Sequence, residues 1–244
     1  IKYLEIIMQK FKILILSVIF ILPSTLFGIV GFGLNIIQDR TKLGGAVNVE
    51  GSGLASATVE SFEMEAFPAG LGGYFFIDLA GWALELEANA VRGNYDFEFK
   101  NAFSELPRVG FSWARGSTAI TIKKNIADFS IPLLAKTALS VGVGTNVHRS
   151  TPRASVSMVM ELLDVENPTD LVNAEFTANA LEDNLVDYLK DNLVEASGIH
   201  AQLGLRFKLL VLDGHLNLRY NMTENVFKGE DSFTEVQIKL GMGF

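Results

Sequence analysis

His148-Arg149-Ser150 sets an imidazole and a hydroxyl two positions apart, the types from which a base-activated nucleophile is built. Such a pair also needs an acid to orient the imidazole, and none is identifiable around this segment. Glu85 and Glu87 share one strand face and could serve as a general acid and base. The same two carboxylates serve equally in a structural ion-pair network. His200 and His215 fall near opposite ends of different strands, so a two-histidine metal site is not expected. There are no cysteines, hence no disulfide frame and no thiolate metal site. No glycine-rich loop follows a strand and opens a helix in the manner of a phosphate cradle. The expectation is a non-enzymatic chain with no metal and no cofactor.

The elements that carry these residues are strands. Phe233 to Phe244 places Val236, Ile238, Leu240, Met242 and Phe244 on one parity, against Glu235, Gln237, Lys239, Gly241 and Gly243. Alternation with period two means one apolar and one polar or small face. The same pattern recurs over 29–37, 69–79, 82–100, 118–130, 137–148, 197–209 and 215–222, giving eight strands. Parity in the third slips around Gly93, which predicts a bulge there. Weak alternation at 45–50 and 57–66 leaves ten strands as the alternative. Hydrophobic residues reach 49% and mean hydropathy is +0.29, yet no long apolar helix follows residue 28. A membrane barrel disperses its apolar residues in this way.

Loop lengths sort by position. Connections 78–82, 131–136 and 210–215 are short, with Ala80-Gly81 and Asp213-Gly214 as tight-turn dipeptides. Connections 38–67, 101–117, 149–196 and 223–232 are longer. Strict alternation fits a membrane barrel with turns on one side and loops on the other. In 149–196, Asn167-Pro168-Thr169-Asp170 predicts a helix start. Ala178 to Ala196 then spaces Leu181, Leu185, Tyr188, Leu189 and Leu193 as an amphipathic helix with an acidic face. This helix reads as a lid over the barrel mouth, with partner binding as the functional alternative.

An eight-stranded barrel is only wide enough for side chains to fill it. On the inner parity lie Glu85, Glu87, Asp96, Glu98 and Glu235, with Lys123, Arg206, Lys208, Arg219 and Lys239. Buried charges must pair, so this set predicts a salt-bridged plug. At the amino end, a basic segment from Met8 to Lys12 precedes the apolar run Ile13 to Leu22 and a Pro-Ser-Thr boundary. That predicts a secretory signal peptide over 1–28 with the true start at Met8, then a barrel over 29–244. A net charge of −8 argues against a nucleic-acid partner.

GIVGFGLN, IPLLAK, the AQLGLRFKLL…HLNLRYNMT hairpin and the Phe-terminated last strand together resemble the bacterial outer-membrane β-barrel domain family. The likeness is to the small eight-stranded barrels of the outer-membrane protein X and outer-membrane protein A membrane-domain type. It covers essentially all of 29–244. It implies an antiparallel up-and-down transmembrane barrel in the outer membrane, with lipid around it. It also implies a closing strand read by the barrel-assembly machinery through Val236, Ile238, Leu240, Met242 and Phe244. Loops 38–67 and 151–196 are then the surfaces for an envelope or extracellular partner. His148-Arg149-Ser150 resembles the His-x-Ser segment of outer-membrane lipid A deacylases, but Thr151-Pro152 departs from the asparagine that follows there. A small channel, a lipid-modifying enzyme and a soluble lipocalin-like ligand binder are the alternative readings.

Overall fold

The computed structural model describes residues 30–103, 105–131, 135–166 and 178–244. The expected signal peptide over 1–28 lies outside the described residues. So do Pro132 to Leu134 of the second short connection and the helix start at Asn167-Pro168-Thr169-Asp170.

In chain order the elements are β1 (Val30–Asp39), β2 (Ala46–Glu50), β3 (Ala57–Ser61), β4 (Ala69–Leu79), β5 (Trp82–Asn101), β6 (Glu105–Ile131) and β7 (Ala135–Ser150). Helices α1 (Val156–Leu162) and α2 (Ala178–Asp191) precede β8 (Val194–Leu209), β9 (Leu212–Met222) and β10 (Phe233–Gly243). Strands β4, β5, β6, β7, β8, β9 and β10 pair in sequence, and β1 lies between β10 and β4, closing an antiparallel ring of eight. The seam runs from Gly31↔Gly243 to Asp39↔Glu235. Beyond it the Phe244 amide donates to the Val30 carbonyl at 2.9 Å, and the Phe244 ring lies 6.4 Å from that of Phe32.

The expected alternation decides which side of the wall each residue takes. Leu34 and Leu240 face each other across the seam and are 73% and 65% exposed on the outer wall. Asn35 and Lys239, their neighbours in sequence, are buried inside. A soluble barrel has the opposite arrangement. Inward glycines leave room for large partners: a Cβ on Gly31 would meet the Phe76 ring, and one on Gly144 the His200 ring.

Five expectations are corrected. The segments at 45–50 and 57–66 do form a hairpin, β2–β3, but it stays outside the ring. β3 pairs with the far end of β5, from Ala57↔Asn101 to Ser61↔Phe97, where β4 no longer reaches. The long loop at 101–117 is mostly strand, because β6 begins at Glu105 and runs back along β5. No bulge occurs at Gly93: β5 and β6 hold one register from Trp82↔Lys124 to Phe97↔Val109, and it shifts only between Phe97 and Phe99. Gly93 instead makes room for Met64, whose Sδ would lie 2.9 Å from an added Cβ. The helix of the third loop ends at Asp191, and Leu193 precedes β8.

The fifth correction concerns Asp213-Gly214, which is no turn. β9 starts at Leu212, and the turn is Leu210-Val211, with Leu210 at φ 54°. Asp213 points inward and is bound by Arg206. Pairing that carboxylate outweighs the turn preference of the dipeptide, leaving a leucine in the left-handed region.

Unbroken parity in β5 carries Tyr95, Phe97 and Phe99 inward and turns Asp96 and Glu98 out. Glu98 pairs on the surface with Arg108 at 3.3 Å. Asp96→Ala and Glu98→Ala are each expected to change stability by less than about 0.5 kcal/mol, as surface substitutions do. Denaturant unfolding in detergent checks this, and a loss of several kcal/mol would return either acid to the interior.

Candidate functional site

Among the described residues, six carboxylates and six basic side chains are buried within the ring. Because β-strand parity is strict, each such residue enters the lumen at a height set by its register. The charges fall into three tiers along the axis. In each tier one arginine ties together strands diametrically opposite in the ring.

Nearest the short turns, Arg206 of β8 donates through Nε to Asp213 at 2.9 Å and through Nη1 to Asp78 of β4 at 2.6 Å. His215 stands 3.1 Å from the same Asp213 carboxylate, and the Arg206 guanidinium lies 4.8 Å from the Phe76 ring centre. Lys208 is buried at this level, opposite Asp213 in the pairing of β8 with β9.

The middle tier is densest. Glu85 accepts from Lys123 at 2.6 Å and from Lys239 at 2.8 Å. Glu87 of β5 accepts from Lys239 at 2.5 Å and from both terminal nitrogens of Arg219 of β9. Gln202 receives two more Arg219 hydrogen bonds, at 3.0 and 2.7 Å, and Gln237 spans Glu87 and Glu235. Thr121 and His200 close this layer at 2.9 Å.

In the upper tier Asp39 and Glu235 are direct cross-strand partners, an arrangement of like charges that costs stability by itself. Arg115 of β6 reaches across and donates to both, at 2.7 and 2.8 Å. Its other terminal nitrogen meets His148 Nδ1 at 2.7 Å. A guanidinium can only donate, so His148 accepts through Nδ1 and carries its proton on Nε2. The Nδ1 of His148 is thereby committed to Arg115 and not to Ser150, although both side chains are buried on the same face.

Above Arg115 the polarity reverses. Phe233 packs against the guanidinium, its ring centre 4.9 Å away, with Phe227 and Trp113 beyond it. These join Met64, Tyr95, Phe97, Phe99, Val156, Met158, Val159 and Leu162 in one apolar core. Segment 151–162 is fastened over the mouth by backbone groups. Ala154 N donates to Tyr95 Oη and Val156 N to Asn48 Oδ1, each at 2.8 Å. Ser155 caps α1 through the Met158 amide at 3.2 Å. Leu185, Tyr188 and Leu189 of α2 pack against this core.

Of the ten residues read from sequence as the interior network, Glu85, Glu87, Lys123, Arg206, Arg219, Glu235 and Lys239 form the ion pairs described above, and Lys208 is buried beside them. Asp96 and Glu98 lie outside. Asp39, Asp78, Arg115 and Asp213 were missed. Asp78 lay on the inner parity and was legible there. Asp39 fell past the expected strand end, Arg115 in an expected loop and Asp213 in an expected turn. The even-numbered face of β10, with Val236, Ile238, Leu240 and Met242, looks outward, and Phe244 continues it.

The fold and interior define a closed antiparallel eight-stranded barrel with apolar outer and ionic inner walls. No protein-family model matches the chain, and no curated protein is similar to it in sequence. Solved structures are similar in fold. Ail, the attachment invasion locus protein of Yersinia pestis, solved with the heparin analogue sucrose octasulfate, is 9% identical. That match covers 90% of this chain and all of that one, with a TM-score of 0.42. The N-terminal β-barrel domain of Pseudomonas aeruginosa OprF is 10% identical over 90% of this chain and 100% of its own, with a TM-score of 0.38. Neisserial surface protein A is 12% identical over 89% and 99%, with a TM-score of 0.37.

Proposed function

We propose that this protein is an integral outer-membrane barrel that conducts no solute and performs no catalysis. In this reading it acts as a structural or surface-interaction protein through the long-loop end, residues 38–67 and 151–196. The observation that carries the reading is the inverted polarity of the wall. Phe32, Leu34, Ile36, Leu84, Leu86 and Ile122 are exposed, while the residues alternating with them are buried and mostly polar or small. In water that outer surface is a contiguous apolar patch far beyond what a soluble monomer tolerates; in lipid it is the required surface. Three arginines crossing the lumen, with an aromatic cap above them, support a closed interior. Outer-membrane lipid is the surrounding partner, and the outward face of β10 is offered to the barrel-assembly machinery.

The test is gel mobility of the refolded protein in detergent, boiled against unboiled, followed by single-channel recording. The expected result is a faster, protease-resistant unboiled band and no conductance above background. Protein that stays soluble without detergent and shows no shift would move the reading to a soluble ligand-binding barrel. Stable conductance steps would replace the closed interior with a channel.

A further inference from the structure

The strand pairing of the wall lapses at one place. β4 pairs with β5 as far as Ala69↔Arg92, and β3 takes up the pairing only at Ser61↔Phe97. Over Gly93 to Asp96 no described strand pairs with β5 on that side. The Asp96 carbonyl is turned into the gap, where it accepts from the Phe62 amide at 2.8 Å. Backbone groups point to alternate sides along a strand, so the N–H and C=O of Asn94 open into the gap as well. The outward face of β5 changes character at the same level. Toward the short turns it carries Leu84, Leu86, Ala88 and Ala90; from the gap onward it carries Arg92, Asn94 and Asp96.

A cavity of about 340 Å³ opens there, lined by Glu65, Phe67, Ala69, Asn94 and Asp96 among others. That is the small end of ligand sites, which span roughly 300–1,000 Å³. Glu63 and Arg108 also line it, but they are paired with Lys42 at 2.9 Å and Glu98 at 3.3 Å. Arg92 is turned toward β6, where it donates to Ser112 at 2.7 Å and to Asn94 Oδ1 at 3.3 Å. Ser112 donates to the same Oδ1 at 3.1 Å. The Asn94 side chain is therefore held by its oxygen, and its N–H groups have no partner among the described residues. Neither do the Glu65 and Asp96 carboxylates.

Carboxylates only accept and an amide nitrogen only donates, so a ligand that meets all three must do both. A hydroxyl does. Arg92 and Arg108 at the cavity disfavour a cation, and Glu65 and Asp96 disfavour an anion. Ala69 and Phe67 supply an apolar side. Phe67 remains 39% exposed even with Arg40 and Lys42 at 5.1 and 5.5 Å from its ring centre. Several hydroxyls on a ring with an apolar C–H face describe a neutral sugar.

We propose that this cavity binds one neutral sugar ring, its hydroxyls held by Glu65, Asn94 and Asp96 and its C–H face against Phe67 and Ala69. Such a ring is carried by a glycolipid headgroup or by a free glycan. The proposal rests on the surface-interaction reading above, because the site lies partly in 38–67, and it gives that surface a ligand class.

The test uses the full refolded chain in a detergent without sugar, its amide NMR spectrum titrated with the methyl glycosides of glucose, galactose and mannose, with ethanolamine and with inorganic phosphate. Saturable shifts at the Asn94 and Asp96 amides are expected with at least one glycoside. Glu65→Ala and Asp96→Ala should each weaken that binding about tenfold, as loss of a charge-assisted contact does. Lys124→Gln, at the opposite rim where Lys124 stacks on Trp82 at 4.6 Å, should leave it unchanged. No saturable shift with any glycoside overturns the site, as does equal binding by the parent and both acid variants. A stronger response to ethanolamine or phosphate overturns the sugar as ligand. Repeating the titration with the octyl glycoside separates the sources, and either result upholds the site: tighter binding assigns a glycolipid headgroup, equal binding a free glycan. Boiled and unboiled mobility, read on the same samples, separates failure of the barrel reading from failure of the sugar site.

Discussion

Arg219→Ala is expected to destabilise the folded barrel by about 3–5 kcal/mol, the cost of breaking a buried ion pair from one side. Arg219 is fully enclosed in the middle tier, where it binds Glu87 through two nitrogens and Gln202 through two hydrogen bonds. Glu235 lies 3.8 Å away. Removing the guanidinium leaves Glu87 with Lys239 as its one cation among the described residues and deprives Glu235 of one of its two cations. It also cuts the tie between β9 and β5, strands on opposite sides of the ring. Lysine is a poor substitute, because a single ammonium cannot replace the planar fork that meets Glu87 and Gln202 together. Denaturant titration in detergent, read by the loss of the fast-migrating band, measures the effect. A midpoint equal to the parent's would mean that the interior charges are solvated and do not hold the wall together.

Gly33→Val is expected to prevent closure of the ring. Gly33 faces Gly241 across the β1–β10 seam, and a Cβ on Gly33 would fall 2.3 Å from the Leu240 carbonyl oxygen and 2.5 Å from Gly241 Cα. Backbone on the partner strand cannot rotate away as a side chain can. The Tyr74 ring occupies the remaining direction at 2.8 Å. Overpacking a good core costs about 1–3 kcal/mol, and a collision with backbone at the closing seam belongs at or above the top of that range. Gly116→Val is the control: Gly116 sits on the outer wall, and an added Cβ there meets nothing within 4 Å. The expected outcome is a compact unboiled band for Gly116→Val and none for Gly33→Val. A Gly33→Val protein with the parent's mobility and midpoint would refute the tight seam.

The difference between these two glycines was only half legible in sequence. Period-two alternation placed Gly33 and Gly241 on the inner face, but their opposition across the seam is a property of register. The same holds for the charges. Glu85, Glu87, Arg206 and Arg219 stood on the inner parity, while their partners lie up to 154 residues away around the ring. The aromatic run Tyr95, Phe97, Phe99 read as outward because a long strand of apolar residues on alternating positions suggests lipid contact throughout. Beyond Arg92 the strand has risen past β4 into the capped region, and there the apolar face turns toward the core. Helix α1 carried a local signal, Ser155 ahead of a short apolar run, that passed unread inside a segment taken as loop.

By itself the sequence determined the eight strands of the ring, their faces outside the far half of β5 and the unread first half of β6, and the two ends of the barrel. These follow from local causes: the pleat alternates side chains strictly, and turn and loop lengths are properties of contiguous residues. Tertiary structure alone decided that Asp213 leaves its turn for Arg206, that Arg115 settles between Asp39 and Glu235, and that β2 and β3 stand outside the ring. It also decided that an apolar cap closes the upper mouth. Each of these depends on what lies opposite in space, and a buried charge or aromatic ring takes the position its distant partner makes favourable.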